Sequence, residues 1–479
     1  MIRSNVVTFV SAGMLSPKKR DHQLARRQLY LNYGALSLAT KLQLAGHEVT
    51  LCHGEHRDPE DVLRQLWSDG RFPSIYPLMV SIPSFYALPW AQAFCMMAKT
   101  ADPECRIVVG GRWVVGPDPE WFRKLLPQAD ILAPGLSEGV IEQLLTESPV
   151  LKRFAEPTPG YALNHLLVDG YQRYQPSVEA SRGCGMGCVF CEERDIKLEK
   201  LREGSALATS MALVRKQYDG QEIRPYLQSS MFVPSARWAA AFATETARIG
   251  KDMPWRTETR VDAMTPQTLA LLADAGLRVI DLGLETASPR QILAMNKSDD
   301  PDRYLRRASD LLEACRRYGV MAKVNVLLYA GETEQTLAET TAWLDGHADA
   351  IAGVSVGPVV AYGPPKTASA LLDEWRALGA RPVDATAAMT SGITTMHLSG
   401  DFHSDAAEAA SLRLSRRFMD EDAYFRLKSF SYYPRDYSRA DFDRDVAASD
   451  TSVLPFNVRG RQISPAAADN RNFHKAIFN

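Results

Sequence analysis

The sequence predicts an α/β protein made of two successive α/β units and a mixed helical segment. Short β-rich segments alternate with helical patterns over residues 1–146, and the same alternation returns over residues 178–375. Residues 147–177 are rich in proline and polar side chains, which is typical of a linker between domains. Residues 376–479 combine helical patterns, such as Asp405–Tyr424, with aromatic loops, and we expect them to cap the second unit.

The pattern of the first unit predicts a doubly wound parallel sheet. Helical patterns lie at Tyr33–Ala45, which Gly46 ends, and at Pro119–Leu126. Parallel strands joined by right-handed crossovers bind ligands in the crevice at their carboxyl ends. The five predicted strands are Val6–Val10, Glu48–Cys52, Leu78–Ile82, Arg106–Val109 and Asp130–Ala133.

The pattern of the second unit predicts further parallel strands. We expect its functional groups at the carboxyl ends of these strands. A helix is predicted from Pro301 to Tyr318. The predicted strands are Glu222–Gln228, Trp255–Val261, Val279–Glu285, Ala322–Tyr329 and Val354–Ala361.

Composition favours a cytoplasmic enzyme with a small-molecule substrate. A net charge of −2 over 479 residues argues against a nucleic-acid partner. One basic cluster, Lys18 to Arg20 with Arg26 and Arg27, predicts either a solvated face or a contact with an anionic ligand. No segment has the ~20 apolar residues that would span a bilayer, and the amino terminus lacks the pattern of a signal peptide. Seven cysteines, an odd number, do not indicate a disulfide framework.

Three of those cysteines carry the strongest chemical signal. Cys184, Cys188 and Cys191 have the spacing Cys-x3-Cys-x2-Cys, with glycines between them that allow a tight loop. This favours iron–sulfur ligation, with one ligand fewer than a cuboidal cluster needs. A zinc site would more usually use paired Cys-x2-Cys units or add a histidine, and none lies nearby.

The motif resembles the signature of the radical S-adenosylmethionine (SAM) superfamily, in which an aromatic residue such as Phe190 often precedes the last cysteine. Residues 279–288 and 321–333 are similar to two further segments of that superfamily, in the same order. The resemblance implies a partial (β/α)6 barrel, a 4Fe–4S cluster on the three cysteines, and SAM bound to the fourth iron. It also implies a flavodoxin- or ferredoxin-type reductant and a 5′-deoxyadenosyl radical that removes hydrogen from an sp3 carbon.

The same resemblance assigns further cofactor-binding residues. The backbone of Phe190 would contact the adenine of SAM. The remaining predicted SAM-binding residues are Gln228, Ser229, Ser230, Glu285, Thr286 and Ser288.

Glu258 and Arg260 are the predicted catalytic residues. Their spacing of two places them on one face of a strand, where they would bind the SAM carboxylate or a polar substrate. The alternative is a salt bridge inside the barrel.

The first unit resembles the cobalamin-binding domain of class B radical SAM enzymes of natural-product biosynthesis. Ser81 and the pair Gly110–Gly111 have about the spacing of that family's Ser-x-Leu and Gly-Gly elements. The family's Asp-x-His-x-x-Gly motif, which supplies a lower cobalt ligand, is absent. Pro83, Phe85, Tyr86, Arg112 and Trp113 also depart from the pattern, and these bulky side chains would either stack on a corrin or fill its space.

Two reactions therefore remain open. With cobalamin, the resemblance implies C-methylation, which we favour narrowly. Without it, a radical dehydratase or dehydrogenase of an aminosugar or aminoglycoside is expected, and an electron-carrying iron–sulfur protein is a remote third reading. Aromatic and acidic residues of the C-terminal segment, including Tyr432, suit an aminosugar-like substrate of antibiotic biosynthesis, and a solvated structural loop is an equal alternative.

Overall fold

The computed structural model describes residues 3–111, 118–146, 160–249 and 253–458. The first unit contains five strands and five helices. In chain order they are β1 Val7–Ser11, α1 Gln23–Arg26, α2 Tyr33–Leu44, β2 Val49–His53, α3 Pro59–Ser68, β3 Leu78–Ser81, α4 Leu88–Ala101, β4 Ile107–Gly111, α5 Pro119–Leu125 and β5 Ile131–Pro134.

The predicted doubly wound sheet is confirmed. All its pairings are parallel and the strand order is β2-β1-β3-β4-β5. Apolar side chains on both faces make the strands nearly continuously buried, as expected for a sheet covered by helices on both sides. The order reverses between β1 and β3, which creates a crevice at their carboxyl ends.

The second unit forms the partial barrel that the resemblance implied. Its six strands are parallel and follow one another in chain order across the sheet. Its elements are β6 Ser177–Glu179, α6 Gly204–Gln217, β7 Tyr226–Gln228, α7 Ala236–Ile249, β8 Trp255–Arg260, α8 Pro266–Asp274, β9 Leu277–Glu285, α9 Pro289–Ala294, α10 Pro301–Arg317, β10 Met321–Leu328, α11 Glu334–Asp345 and β11 Gly353–Pro358.

The predicted end of the last barrel strand is wrong. Val354–Ala361 was expected to be one strand, but β11 stops at Pro358. Proline has no N–H to continue the ladder, and the chain then turns into a different sheet. The segment Glu222–Gln228 is likewise shorter than predicted, since β7 begins only at Tyr226, directly after Pro225.

After β11, the residues described up to 458 form a small antiparallel sheet of order β12-β14-β13 and five helices, which together make the C-terminal segment. Its elements are β12 Val360–Tyr362, α12 Pro365–Ala377, β13 Arg381–Pro382, α13 Ala387–Ser391, β14 Ile393–His397, α14 Ser404–Phe418, α15 Glu421–Ser431 and α16 Arg439–Ala447. The predicted helical stretch Asp405–Tyr424 is broken after Phe418, because the Asp420 side chain caps α15 through the N–H of Ala423.

This segment contacts both ends of the barrel. At the carboxyl end, the indole N–H of Trp375 donates to the Tyr329 hydroxyl at 2.8 Å. At the amino end, Arg256 donates to the carbonyl of Leu427 in α15. Within the described ranges, no helix has the length and apolar character needed to cross a membrane. The predicted domain boundaries stay a prediction, and residues 147–159 of the predicted linker lie outside the described residues.

Candidate functional site: a cysteine loop, a barrel chamber and an adjoining cleft

The three cysteines lie on an irregular loop that follows β6. Glycines 183, 185 and 187 all have positive φ angles of 65° to 75°. At Gly183 a side chain would collide with the carbonyl oxygen of Lys197, so the chain can turn here only without a Cβ. The glycines therefore fold the loop tightly enough to bring the cysteines to one side of the barrel's carboxyl end.

Each cysteine sulfur accepts an N–H group. The backbone N–H of Glu193 donates to Cys191 Sγ at 3.4 Å, and the N–H of Met186 donates to Cys184. Arg260 Nη1 donates to Cys188 Sγ at 3.7 Å. Such hydrogen bonds stabilise thiolates and tune the potential of a cluster. Burial raises the pKa of the Cys191 thiol to about 11, although the N–H of Glu193 lowers it in part.

The donor set fits a cluster better than a single ion. In the part of the chain that the structure describes, no three His, Cys, Asp or Glu side chains are grouped to hold one metal ion. A cuboidal cluster instead takes each thiolate on a different iron, so its ligands need not converge on one point. The three thiols, each with an N–H donor, would therefore suit three different irons of such a cluster.

Phe190 and Glu285 lie beside this loop. The Phe190 ring is half-buried, with Lys297 Nζ 5.9 Å from its centroid and Tyr329 in edge contact at 6.2 Å. Lys297 also reaches Glu285 Oε1 at 3.5 Å. Glu285 ends β9 with a φ of 63°, an uncommon value for a residue with a Cβ. This strained carboxylate at the mouth of the barrel has the position expected of a cofactor contact.

The other predicted SAM-binding residues differ in whether their side chains already form hydrogen bonds within the protein. Ser229 Oγ lies 2.7 Å from the hydroxyl of Ser181, next to the cysteine loop. Gln228 donates to Ser177 at 3.0 Å. Ser230 is half-buried beside them.

On the opposite side, Thr286 is buried against the hydroxyl of Thr340 at 3.0 Å. The hydroxyl of Ser288 is buried without a hydrogen-bond partner. The assignment of all these residues to SAM stays a prediction.

Glu258 and Arg260 share a face of β8 but do not pair with each other. Arg260 forms a bidentate contact with Asp262 at 2.9 and 3.1 Å and donates to the carbonyl of Lys297 at 2.5 Å. With its contact to Cys188, the guanidinium is held entirely by protein atoms, and its exposed fraction is only 7%. The geometry therefore favours a role in positioning the cysteine loop.

Glu258 instead faces a water-accessible chamber inside the barrel. It is the one exposed residue of β8, a strand flanked by β7 and β9 and buried on its other positions. The Tyr226 hydroxyl donates to its Oε2 at 3.1 Å. Enclosure by the barrel wall and the nearby Asp281 carboxylate raise the pKa of Glu258 to about 7. A carboxyl group with that pKa can donate or accept a proton at neutral pH.

A cleft of about 290 Å³ lies at the carboxyl ends of the first sheet. Ser81, Gly110 and Gly111 line it together with Asn32, and the binding of cobalamin by the first three stays a prediction. The Asn32 amide donates to Ser81 Oγ and to Ser11 Oγ, both at 3.0 Å, and thereby bridges β1 and β3 at the point where the strand order reverses. The wall of this cleft combines apolar side chains, such as Leu38 and Met79, with a few polar groups and glycines at the strand ends.

The cleft extends to the cysteine loop. Arg182 and Glu193, which flank the three cysteines in sequence, also line it. Arg182 is buried between Glu179 of the barrel, at 2.6 Å, and Glu138 of the first unit, at 2.7 Å. This buried triad of Glu138, Arg182 and Glu179 fixes the loop against the first unit.

The residues that line the cleft fit the slender tail of cobalamin. Gly110 and the Ser81 hydroxyl lie on its wall, whereas Gly111 is required there because a side chain would collide with the carbonyl oxygen of Ile82. Phe85, which was expected to crowd or stack on a corrin, instead packs between Phe122 and Tyr362 and is buried. Pro83 does line the cleft, whereas Arg112 and Trp113 lie outside the described residues.

Comparison with known proteins assigns the barrel to a family. Residues 178–344 match the model of the radical SAM superfamily, so this part of the chain is a radical SAM domain. A 4Fe–4S cluster and SAM are the cofactors of that superfamily. A methyltransferase of Pyrococcus horikoshii described as uncharacterized is 23% identical over 200 residues, which are 40% of this chain and 42% of the relative.

Solved structures share the wider fold. The cobalamin-dependent SAM radical enzyme OxsB with aqua-cobalamin bound has a TM-score of 0.55 and 14% identity, over 82% of this chain and 57% of OxsB. The radical SAM methyltransferase TsrM of Kitasatospora setae, with tryptophan and a SAM analogue bound, has a TM-score of 0.50 and 17% identity. That match covers 74% of this chain and 73% of TsrM. At these identities the similarity concerns the fold, which in both proteins extends beyond the barrel.

Sequence reasoning missed several site residues. Asn32 and Tyr226 were not singled out, because an asparagine before a helix and a tyrosine in a strand are common structural residues. Arg182 lies two residues before Cys184, and a charged side chain so close to the cysteine motif could have indicated a role in positioning the loop. The pairing of Lys297 with Glu285 is not visible in sequence, since a loop brings the two together.

Proposed function

We propose that the protein is a cobalamin-dependent radical SAM methyltransferase that acts on an sp3 carbon of a small molecule. The substrate class that we favour is an aminosugar-like compound of antibiotic biosynthesis, and we expect the enzyme to work in the cytoplasm with a flavodoxin- or ferredoxin-type reductant. The dehydratase and dehydrogenase alternatives have no feature of their own in the structure that favours them.

One observation carries the proposal. The cleft at the carboxyl ends of the first sheet opens onto the cysteine loop, so that Gly110 and Arg182 line one continuous space. A sheet that served only as a buttress would not need a ligand-sized cleft directed at the cluster. The resemblance in fold to OxsB and TsrM, and the methyltransferase relative, support the same interpretation.

The chain's own residues bind, orient and transfer protons. When bound, the cluster and SAM supply the radical that removes hydrogen, and cobalamin supplies the methyl group. The three cysteines hold the cluster, and Arg260 holds Cys188 in place. Glu258 faces the chamber where a substrate would lie, with a pKa that suits proton transfer to or from a hydroxyl or amino group. A substrate that fills the chamber would displace the water to which Glu258 is exposed.

Retention of cobalt tests the proposal directly. The protein would be reconstituted with hydroxocobalamin, passed through a desalting column, and measured for cobalt and for its visible spectrum. Gly110→Val is the informative variant, because a Cβ at this position meets only ordinary contacts and the larger side chain would fill the cleft. Gly400→Val is the matched control, since Gly400 has open space around its Cβ position.

We expect the wild type and Gly400→Val to retain stoichiometric cobalt and Gly110→Val to lose most of it. A wild-type protein that retains no cobalt would overturn the proposal. Equal retention by Gly110→Val and the control would show that the cobalamin does not use this cleft.

A further inference from the structure

Three lysines from distant parts of the chain converge on the barrel chamber that Glu258 faces. Lys19 comes from the loop after β1, Lys323 from β10, and Lys428 from α15. Lys19 Nζ donates to the carbonyl of Val356 at 2.7 Å and to the hydroxyl of Ser355 at 3.1 Å, both on β11. The basic cluster predicted from sequence is therefore not simply a solvated face, because Lys19 reaches the barrel's edge strand.

The space between these lysines is open to water. Lys19 is exposed although it contacts β11, and Tyr30 has an exposed fraction of 51% although its ring lies 5.2 Å from that of Tyr432. Tyr432 in turn packs over the guanidinium of Arg256, a fully buried residue of β8. Exposed polar atoms surrounded by buried residues indicate a water-accessible space inside the barrel.

The charges around this chamber do not balance. Asp281 is bound by both Arg256 and Lys323, the latter at 2.8 Å, so one carboxylate serves two cations. Lys428 Nζ donates to a neutral acceptor, the amide oxygen of Gln28, at 2.8 Å.

Other ionisable groups near the lysines offset the excess positive charge of the chamber only in part. Glu258 faces the same chamber, Glu408 lies near Lys19, and His22 lies near Lys428. Enclosure by the surrounding protein and the charge of Lys323 lower the pKa of Lys19 to about 8. Burial and the neighbouring cations lower the pKa of Lys428 well below its usual value. Because Lys323, Lys19 and Arg256 all disfavour the charge on Lys428, an anion in the chamber would relieve repulsion among four cations.

We propose that Lys19, Lys323 and Lys428, hereafter the lysine group, bind an anionic oxygen group of the substrate, either a carboxylate or a phosphate. The inference deepens the proposed function, because it takes the chamber beneath the cysteine loop as the substrate site. Lysine ammonium groups bind such anions as mobile point charges with several donors each. The substrate is then anchored at one end by the lysine group, and its reacting carbon points toward the barrel's carboxyl end.

The lysine group can be tested without knowing the substrate. Thermal unfolding of the reconstituted protein would be followed with sodium phosphate or sodium propionate as probes, against sodium chloride at the same ionic strength. We expect at least one probe to raise the Tm of the wild type by about 3 °C or more at saturating concentration.

Lys428→Met separates anion binding from a structural role. It removes one of the crowded charges, and Gln28 keeps a donor because the Tyr30 hydroxyl also donates to its amide oxygen at 2.8 Å. We therefore expect Lys428→Met to have an unchanged or higher Tm in chloride and to lose the shift caused by the anion. Lys124→Met, at an exposed lysine on α5, should keep the wild-type behaviour. Lys19→Met provides a second variant should Lys428→Met fail to fold, and it should also lose the shift.

The outcomes distinguish the two anions. A shift with phosphate alone identifies a phosphate site, a shift with propionate alone identifies a carboxylate site, and a shift with both supports a general anion site. No shift in the wild type, or the same shift in both lysine variants, would overturn the inference. Since cobalt retention does not depend on these lysines, a protein that retains cobalt but ignores both anions would refute this inference alone.

Discussion

Glu258→Gln gives a prediction in which stability and activity move in opposite directions. The substitution keeps the shape of the side chain, and the Tyr226 hydroxyl can still donate to the remaining oxygen. In the native protein the carboxyl pKa rises from its usual 4.5 to about 7. The folded state therefore binds this proton more tightly than the unfolded state does. Stability is fully retained below pH 4.5, falls as the pH rises toward 7, and is lowest above 7.

The size of the effect follows from the shift. Each pKa unit corresponds to about 1.4 kcal/mol, so an unscreened shift of this size would cost about 3 kcal/mol above pH 7. Glu258 is exposed to water in the chamber, and screening reduces the expected cost to about 1 kcal/mol. Glu258→Gln should thus raise the Tm by about 1 °C at pH 8 and leave it unchanged near pH 4.5.

Differential scanning calorimetry at pH 4.5 and pH 8 measures the difference in Tm between the wild type and Glu258→Gln. Because the variant cannot transfer the proton, product formation should fall at least tenfold at pH 8. Equal Tm shifts at both pH values, or a loss of stability at pH 8, would refute the assignment of a chamber carboxyl with a raised pKa.

Three further substitutions test the cysteine loop. Cys188→Ala should abolish formation of 5′-deoxyadenosine while circular dichroism shows an intact fold, and retained SAM cleavage would contradict the ligand assignment. Arg260→Lys cannot keep the bidentate contact with Asp262 together with the contacts to Lys297 and Cys188, so we expect a loss of about 2–4 kcal/mol in urea unfolding and reduced iron content. Unchanged stability with lost SAM binding would instead make Arg260 a ligand contact. Arg182→Met leaves two buried carboxylates without their cation and should cost about 3 kcal/mol or more, and a smaller loss would show that the triad is not what fixes the loop.

The fold was predictable where the sequence is regular. Alternating β-rich and helical segments indicated both parallel sheets, and the helix Tyr33–Ala45 was placed to within one residue. Two strand errors fall where a proline changes the backbone's hydrogen bonding, and the predicted helix Asp405–Tyr424 fails where the Asp420 side chain caps a new helix. Pro358 ends β11 and Pro225 delays β7, and a count of β-forming residues does not register the missing N–H group.

The site was predictable only where its residues are close in sequence. Cys184, Cys188 and Cys191 lie within one short loop, so their spacing alone carries the chemistry. The lysine group is different, because Lys428 meets Gln28 across 400 residues of chain. That contact depends on how α15 packs against the amino end of the barrel. The role of Arg260 was also hidden, since strand periodicity gives the face of a residue but not its partner.

The central claim, that this enzyme transfers a methyl group with cobalamin, is tested most directly by the ratio of two SAM products. Methylation uses one SAM for the radical and a second as the methyl source, whereas a dehydratase or dehydrogenase forms no S-adenosylhomocysteine. The holoenzyme would be incubated anaerobically with SAM, a reductant, and phosphorylated or carboxylated aminosugars, and both products would be quantified. We predict comparable amounts of S-adenosylhomocysteine and 5′-deoxyadenosine, with a new methyl group in the product. Formation of 5′-deoxyadenosine alone, with a product that lacks a new methyl group, would contradict the account.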